Sequence, residues 1–316
     1  MSKKRINTIF IGTPKYSVPS LLGLINSDLF NVIAVITQPD KKVGRKQEFI
    51  YPPIKKLALK NNIQVFQPEK IKDFSSEIKN LSPDLIVVIA YAQIISEEIL
   101  NIPQYGCINV HGSLLPKYRG ASCVQAALLN DDRETGVTIM KMNKGLDTGP
   151  IIAQLKLKIE SNDTANTLFP KLSRLSGNFL IPTLEKFIKG DIDAKEQDNS
   201  RASYVGLLKK SDGKINWNQD ATKIFSHYKA MAPWPGAFTE VDIDNRKKML
   251  KILDIENIVN INKYKTGEIF IKDKKLAVQC ATDAVVINTI QLEGKQLVSS
   301  EDFLRGNSDF VGKILQ

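Results

Sequence analysis

Five short apolar runs, each closed by polar or turn-forming residues, set the frame for the first part of this 316-residue chain. They are Ile6 to Ile11, Asn31 to Thr37, Gln64 to Phe66, Asp84 to Ala90 and Cys107 to His111. Helical patterns lie between them, in Val18 to Ile25 with Pro19 near the first turn, in Ile54 to Leu59 and in Ser75 to Leu81. Apolar runs of strand length alternating with helical stretches predict a mostly parallel, Rossmann-like α/β sheet with helices on both faces. Such a sheet keeps its chemistry where strands end and turns begin. The residues that close each run therefore come first in the search for function.

Several functions are disfavoured at once. Gly12 closes the first run, but Thr13-Pro14-Lys15 follows and the next glycine is Gly23, so the G-x-G-x-x-G of a dinucleotide site is absent. No G-x-x-x-x-G-K-[ST] phosphate loop occurs either. Three scattered cysteines without a CxxC pair, and only two histidines, disfavour a zinc centre and fit reduced thiols in a cytoplasm. The basic N-terminus precedes an apolar run too short for the core of a signal peptide, and no run reaches the length of a membrane span. We therefore expect a cytoplasmic protein with no membrane partner, no metal and a monomeric state. The net charge of +10 favours a polyanionic partner. A polar loop from Thr37 to Pro53 gathers Lys41, Lys42, Arg45 and Lys46 around Gly44, as an arm that grips phosphates would, although a solvated surface is the commoner reading of such a run.

Beyond residue 150 the pattern changes twice. Ile151 to Ile159 alternates like a strand, and Asn166 to Ile188 carries a helical pattern in which Pro182 is expected to bend or interrupt the helix. Polar residues 190–206 read as a linker, separating a catalytic domain over 1–189 from a second domain over 207–316. That second domain opens with a helical stretch, Asn218 to Met231. Short β-like segments follow at Ala237 to Val241, Met249 to Ile255, Thr266 to Ile271, Lys275 to Gln279 and Ala284 to Gln291. Five such segments fit a small C-terminal β-barrel of OB type.

The densest chemistry lies between Cys107 and Pro150. Asn109 and His111 close the fifth run, Ser-Leu-Leu-Pro follows, and Asp147 stands in Gly-Leu-Asp-Thr-Gly. An amide donor, an imidazole and a carboxylate together suit stabilising an oxyanion and moving a proton in acyl transfer. No G-x-S-x-G elbow is present, and Cys107 sits too early in an apolar run to serve as a nucleophile. On its own, an Asn-x-His at a strand end fits a hydrogen-bonded core histidine better than an active site.

The flanking residues change that balance. Asn109-x-His111, Ser113-Leu114-Leu115-Pro116, Gly136-Val137-Thr138 and Asp147-Thr148-Gly149 resemble the hallmark of the folate-dependent formyltransferases. The resemblance runs from the opening IFIGTPKYSVPSL through VITQPDKKVGRKQ and DLIVVIAYAQIIS to GKINW and PWPGAFT, covering the chain to about residue 256. It narrows to the branch that acts on initiator methionyl-tRNA. One departure stands out: where that family usually has Gly-Ala-Ala-Pro-Ile-Gln, this chain has Gly120-Ala121-Ser122-Cys123-Val124-Gln125.

The resemblance implies transfer of the formyl group of 10-formyltetrahydrofolate, a cosubstrate, to the α-amino group of methionine on initiator tRNA, for translation initiation. Asn109 and His111 would stabilise the tetrahedral oxyanion, and Asp147 would orient His111 and help deprotonate the amine. The folate would be read by Ile89, Ala90, Tyr91 and Gln93 and by Ser113, Leu114, Leu115 and Pro116. Lys41, Lys42, Arg45 and Lys46, with Arg246, Lys247 and Lys248, would contact the tRNA. Two alternatives remain open: an amino-sugar nucleotide as acceptor, which needs no basic loop, and a tRNA-binding or chaperone-like module with an inactive site, against which the intact trio stands.

Overall fold

The computed structural model describes residues 4–43, 48–243 and 246–316. The five apolar runs form the strands Ile6–Gly12, Phe30–Ile36, Gln64–Phe66, Leu85–Ile89 and Cys107–His111. Each is parallel to its neighbours among the five, in the spatial order Cys107–His111, Leu85–Ile89, Ile6–Gly12, Phe30–Ile36, Gln64–Phe66. Glu134–Lys141 and Ile151–Lys158 continue the sheet in antiparallel fashion beyond Cys107–His111, making seven strands. All five residues of Leu85–Ile89 are buried, as are Ile9, Phe10 and Ile11 beside them. A strand covered on both faces must be apolar at every position, which is why these runs do not alternate. Ile151–Lys158 at the sheet edge does alternate in sequence, and it exposes Gln154, Leu155 and Lys156.

The strand order reverses beside Ile6–Gly12. The chain moves out through Phe30–Ile36 and Gln64–Phe66, then returns to pair Leu85–Ile89 on the other side. Such a reversal opens a crevice beyond the carboxyl ends of the strands. Here the two backbones come close: a Cβ on Gly12 would lie 2.8 Å from the Ile89 carbonyl oxygen. Ser17 Oγ donates to that same carbonyl at 2.9 Å.

The helices Val18–Ile25, Pro53–Lys60 and Ser75–Asn80 fill the expected intervals. Ala165–Lys189 is one continuous helix of 25 residues, and Pro182 does not interrupt it. The bond that proline forgoes is the one to the carbonyl of Asn178, and both Asn178 and Pro182 are exposed. Solvent can satisfy that carbonyl, so the helix continues. Within the Thr37–Pro53 loop, Lys41–Val43 and Glu48–Ile50 pair as a short antiparallel hairpin.

The C-terminal part carries the helix Ala221–Met231 and a six-stranded antiparallel sheet. Its order is Ala237–Ile243, Arg246–Val259, Ala284–Leu292, Lys275–Gln279, Ile269–Lys272, with the two-residue strand Val298–Ser299 added beside Ala284–Leu292. Arg246–Val259 is 14 residues long and shifts register between Ile252 and Asn257. Such bulges bend a strand and raise its twist, and the sheet curls as a small barrel-like domain. The helix Ser300–Gly306, capped by the Ser299 side chain, packs on the last strands.

The chain divides into two compact units. The first takes residues up to Cys123, Glu134–Lys158 and Phe169–Val205; the second takes Val124–Arg133, Ile159–Leu168 and Gly206–Gln316. Among the described residues no helix is long and apolar enough to cross a membrane.

Candidate active site

The strand Cys107–His111 puts Asn109 and His111 at its carboxyl end, and alternation points both to the same face. Asn109 pairs in register with Val88, so Ile89 and Ala90 lie at the same end of the adjacent strand. Asp147 reaches this end from the turn after Glu134–Lys141, in a left-handed conformation (φ 52°). Asn109 Nδ2 donates to Asp147 Oδ1 at 3.2 Å, and the Gly120 N–H donates to Asp147 Oδ2 at 2.7 Å. A carboxylate only accepts, so the Asn109 amide must turn its NH₂ this way. Gly120 has φ 108°, and a side chain there would collide with the Val205 carbonyl. Only glycine presents that N–H to the carboxylate.

His111 is 7% exposed, and its Nδ1 lies 3.6 Å from Asp147 Oδ2, beyond a direct hydrogen bond. The contact that orients the ring is on its other side: Nε2 is 2.9 Å from the Tyr118 carbonyl oxygen. A carbonyl can only accept, so Nε2 carries a proton and Nδ1 is the nitrogen turned toward Asp147. Burial opposes the charged ring most strongly. The Cys123 side chain, the Asp147 carboxylate and the Tyr118 carbonyl outweigh it and raise the His111 pKa from its usual 6.5 to about 9. Cys123 is the first residue of the helix Cys123–Leu129. A first helical turn tolerates proline because its N–H has no helical partner, so a proline-to-cysteine change keeps the geometry and adds a thiol beside the imidazole. Burial pushes the Cys107 thiol up to about 12, which agrees with its exclusion as a nucleophile.

The residues expected to read a folate divide into two kinds. Ala90 and Ala92 are exposed and left-handed (φ 50° and 65°), turning their peptide groups at the strand end. Tyr91 and Gln93 between them point their side chains elsewhere. Tyr91 is 2% exposed, packs in the apolar core, and presents only its carbonyl, which accepts from Gln38 Nε2 at 2.9 Å. The Gln93 amide accepts from the Ile71 N–H at 2.8 Å and donates to the Glu69 carbonyl at 3.0 Å. Ile89 is buried. In the Ser113–Pro116 loop, Ser113 Oγ donates to the Lys117 carbonyl at 2.6 Å and Thr138 Oγ1 donates to the Ser113 carbonyl at 2.6 Å. The Leu115 N–H donates to Thr138 Oγ1 at 3.1 Å, Leu115 itself is buried, and Leu114 and Pro116 are half-buried. Thr138 of the Gly-Val-Thr segment therefore holds the loop.

The basic residues are less constrained. Lys41 is exposed on its hairpin strand, the side chain of Lys42 lies outside what is described, and Arg45 and Lys46 lie outside the described residues. Arg246 and Lys247 are exposed and Lys248 is half-buried on the long strand of the second unit. Lys247 Nζ donates to Gln316 Oε1 at 2.8 Å.

Residues 4–184 match the formyl transferase family model, and residues 207–308 match the model of the formyl transferase C-terminal domain. The chain belongs to the formyl transferase family. It is 40% identical to a methionyl-tRNA formyltransferase of Caldanaerobacter subterraneus subsp. tengcongensis over 98% of this chain and 99% of that protein. It is 42% identical to a methionyl-tRNA formyltransferase of Methylacidiphilum infernorum over 98% of each. Among solved structures, the fold is similar to an N-formyltransferase of Helicobacter canadensis solved with folinic acid and dTDP-3-aminofucose, with TM-score 0.66, 21% identity, 89% of this chain and 98% of that one. A sugar 3N-formyl transferase gives TM-score 0.65 at 22% identity over 93% of this chain and all of the other. Two groups that bond Asp147 and His111 were passed over by side-chain reasoning: the Gly120 N–H and the Tyr118 carbonyl. Both lie inside the Lys117–Gly120 stretch, but main-chain groups leave no mark in residue type.

Proposed function

We propose that this protein transfers the formyl group of 10-formyltetrahydrofolate to the α-amino group of methionine on initiator tRNA, in the cytoplasm and as a monomer. Identity of about 40% along essentially the whole chain, with relatives whose name states that acceptor, carries the reading. The neutral amine attacks the formyl carbon, a C–N bond forms, and the carbonyl oxygen becomes an oxyanion. The carbon–N10 bond then breaks, and the proton lost by the amine ends on the folate nitrogen. The rate gain comes from donors already aimed at the developing charge and from a proton carrier beside it.

The roles follow from the bonds each group makes. His111 spends Nε2 on the Tyr118 carbonyl, so Nδ1 is the nitrogen left to meet the oxyanion or a proton in transit. With its pKa raised from the usual 6.5, the ring holds a proton more readily than a free imidazole and is suited to act as a donor. Asn109 supplies the amide donor. Asp147 holds both neighbours in place and takes the amine proton. Pterin recognition falls to the turned backbone at Ala90 and Ala92 and the wall made by Ser113–Pro116, since backbone donors and acceptors suit a flat polar ring. Lys41, Lys42, Arg45 and Lys46 on one unit and Arg246, Lys247 and Lys248 on the other supply phosphate contacts. Residues 1–189 act as the catalytic domain and 207–316 as the RNA-binding domain.

The test is an assay of purified protein with 10-formyltetrahydrofolate, offering charged initiator tRNA and an amino-sugar nucleotide as competing acceptors. Formylmethionyl-tRNA is the expected product. Formylation of the sugar alone would transfer the reading to the sugar acceptor.

A further inference from the structure

Residues 185–206 fall between the two stretches that match the family models. Composition reads 190–206 as a linker, yet that stretch is fastened within the first unit at two points. Lys195 and Ile151 exchange backbone bonds of 2.7 and 2.8 Å. Tyr204–Val205 pairs in parallel with Arg119–Gly120, the dipeptide whose glycine donates to Asp147.

Between these fastenings lies Gln197, 8% exposed. Its Oε1 accepts from Arg119 Nε at 3.1 Å and from Arg119 Nη2 at 2.8 Å. Its Nε2 donates to the Asp147 carbonyl at 2.9 Å and to the Gly149 carbonyl at 2.7 Å. Arg119 is 1% exposed, and it also donates to Asn199 Oδ1 at 2.7 Å and the Tyr204 hydroxyl at 2.8 Å. The acceptors that meet this guanidinium, the Gln197 and Asn199 amide oxygens and the Tyr204 hydroxyl, are neutral. A guanidinium bound to an amide oxygen polarises the amide and strengthens its N–H donors. The Asp147 turn needs such a restraint, because a left-handed φ costs a non-glycine residue energy that its surroundings must offset.

We propose that Gln197, fixed by Arg119, is a positioning residue of the active site: it grips the backbone of the Asp147 turn and so sets the carboxylate against the Gly120 N–H and His111. The proposal rests on the reading that Asp147 serves formyl transfer. The chemistry is demanding at this point. One end group must accept from a guanidinium and donate to two carbonyls at once, and a side-chain amide does both. Gln197→Glu separates the two jobs. A carboxylate pairs with Arg119 at least as well, but it faces the Asp147 and Gly149 carbonyls with no proton to give.

The experiment compares Gln197→Glu, Gln197→Met and Asp147→Asn by kcat, by KM for each substrate, by melting temperature and by NMR titration of His111. The chain has two histidines, so His227→Gln assigns the resonance. The charged or titratable side chains facing His111 are Asp147 and Cys123, with the Tyr118 carbonyl on the remaining side. In Gln197→Glu we expect melting within a few degrees of the parent and KM for charged tRNA within about twofold. Displacement of the carboxylate should cost about 30- to 100-fold in kcat and move the His111 titration downward. Gln197→Met, which leaves Arg119 its Asn199 and Tyr204 partners, should lose kcat to a similar degree. An unmoved His111 titration with kcat within about threefold of the parent overturns the proposal. So does loss of the fold in both variants, which would make Gln197 a folding residue only. Full activity in Asp147→Asn would overturn the functional reading instead, and the His111 titration would still report whether Gln197 positions the carboxylate.

Discussion

The groups around Asp147 and the basic residues assigned to RNA are built on opposite principles. Both Asp147 oxygens accept N–H bonds, and its turn is gripped from behind by Gln197. Lys41, Arg246 and Lys247 stand in solvent, and the bond Lys247 makes, to Gln316, is itself exposed. A transition state is stabilised by groups that need not reorganise, which favours burial and multiple bonds. A phosphate backbone is held by charges that must stay hydrated and mobile until it arrives, and whose individual contributions are small. Substitutions should therefore split cleanly into those that change kcat and those that change KM.

The largest expected effect is at the carboxylate. Asp147→Asn keeps the size of the side chain but turns one acceptor into a donor, against Asn109 or Gly120. Formyl transfer should fall by about 10²- to 10⁴-fold, while binding of charged tRNA, measured by filter retention, stays unchanged. A variant with full activity would break the comparison at its strongest point. Next comes the loop: alanine at Lys41, Lys42, Arg45 and Lys46 together should raise KM for charged tRNA and leave kcat within about twofold. The slope of log KM against log salt should flatten by about one for each lysine or arginine that meets a phosphate. An unchanged KM would remove the loop from the interface. Arg246→Ala with Lys247→Ala and Lys248→Ala should act the same way and less strongly, since Lys248 is half-buried and Lys247 already has a partner.

The same division explains what could be read in the sequence. The parallel sheet was legible because buried strands must be apolar throughout, and Leu85–Ile89 follows that rule at every residue. Asn109, His111 and Asp147 were legible because each carries its chemistry in its side chain and sits in a motif with fixed spacing. The continuity of Ala165–Lys189 through Pro182 was not, because it depends on whether the carbonyl of Asn178 meets water, a tertiary fact. Tyr91 and Gln93 were expected at the folate, but their side chains face the core and the Glu69–Ile71 turn, and the neighbouring alanines are the exposed residues there. Gln197 was invisible: a polar residue in a polar stretch, made significant by two carbonyls some 50 residues away.

The smallest predicted effect concerns the ring itself. Folding lifts the His111 pKa from 6.5 to about 9, against burial, through Cys123, Asp147 and the Tyr118 carbonyl. A group whose pKa rises on folding binds its proton more tightly in the native state. Its contribution to stability is therefore complete below pH 6.5, shrinks as pH rises, and is gone above about 9. Melting curves of the parent and His111→Asn across pH 6 to 10 should converge through that window, and a gap that stays constant would show that the ring is not titrating there. Cys123→Ala tests the local cause. It removes a raising influence that is adjacent in space but absent from the family's usual proline at this position. The titration of His111 should move down, leaving Asp147 and the Tyr118 carbonyl to oppose burial. The basic limb of kcat should then move with it, which would link the buried pair to catalysis.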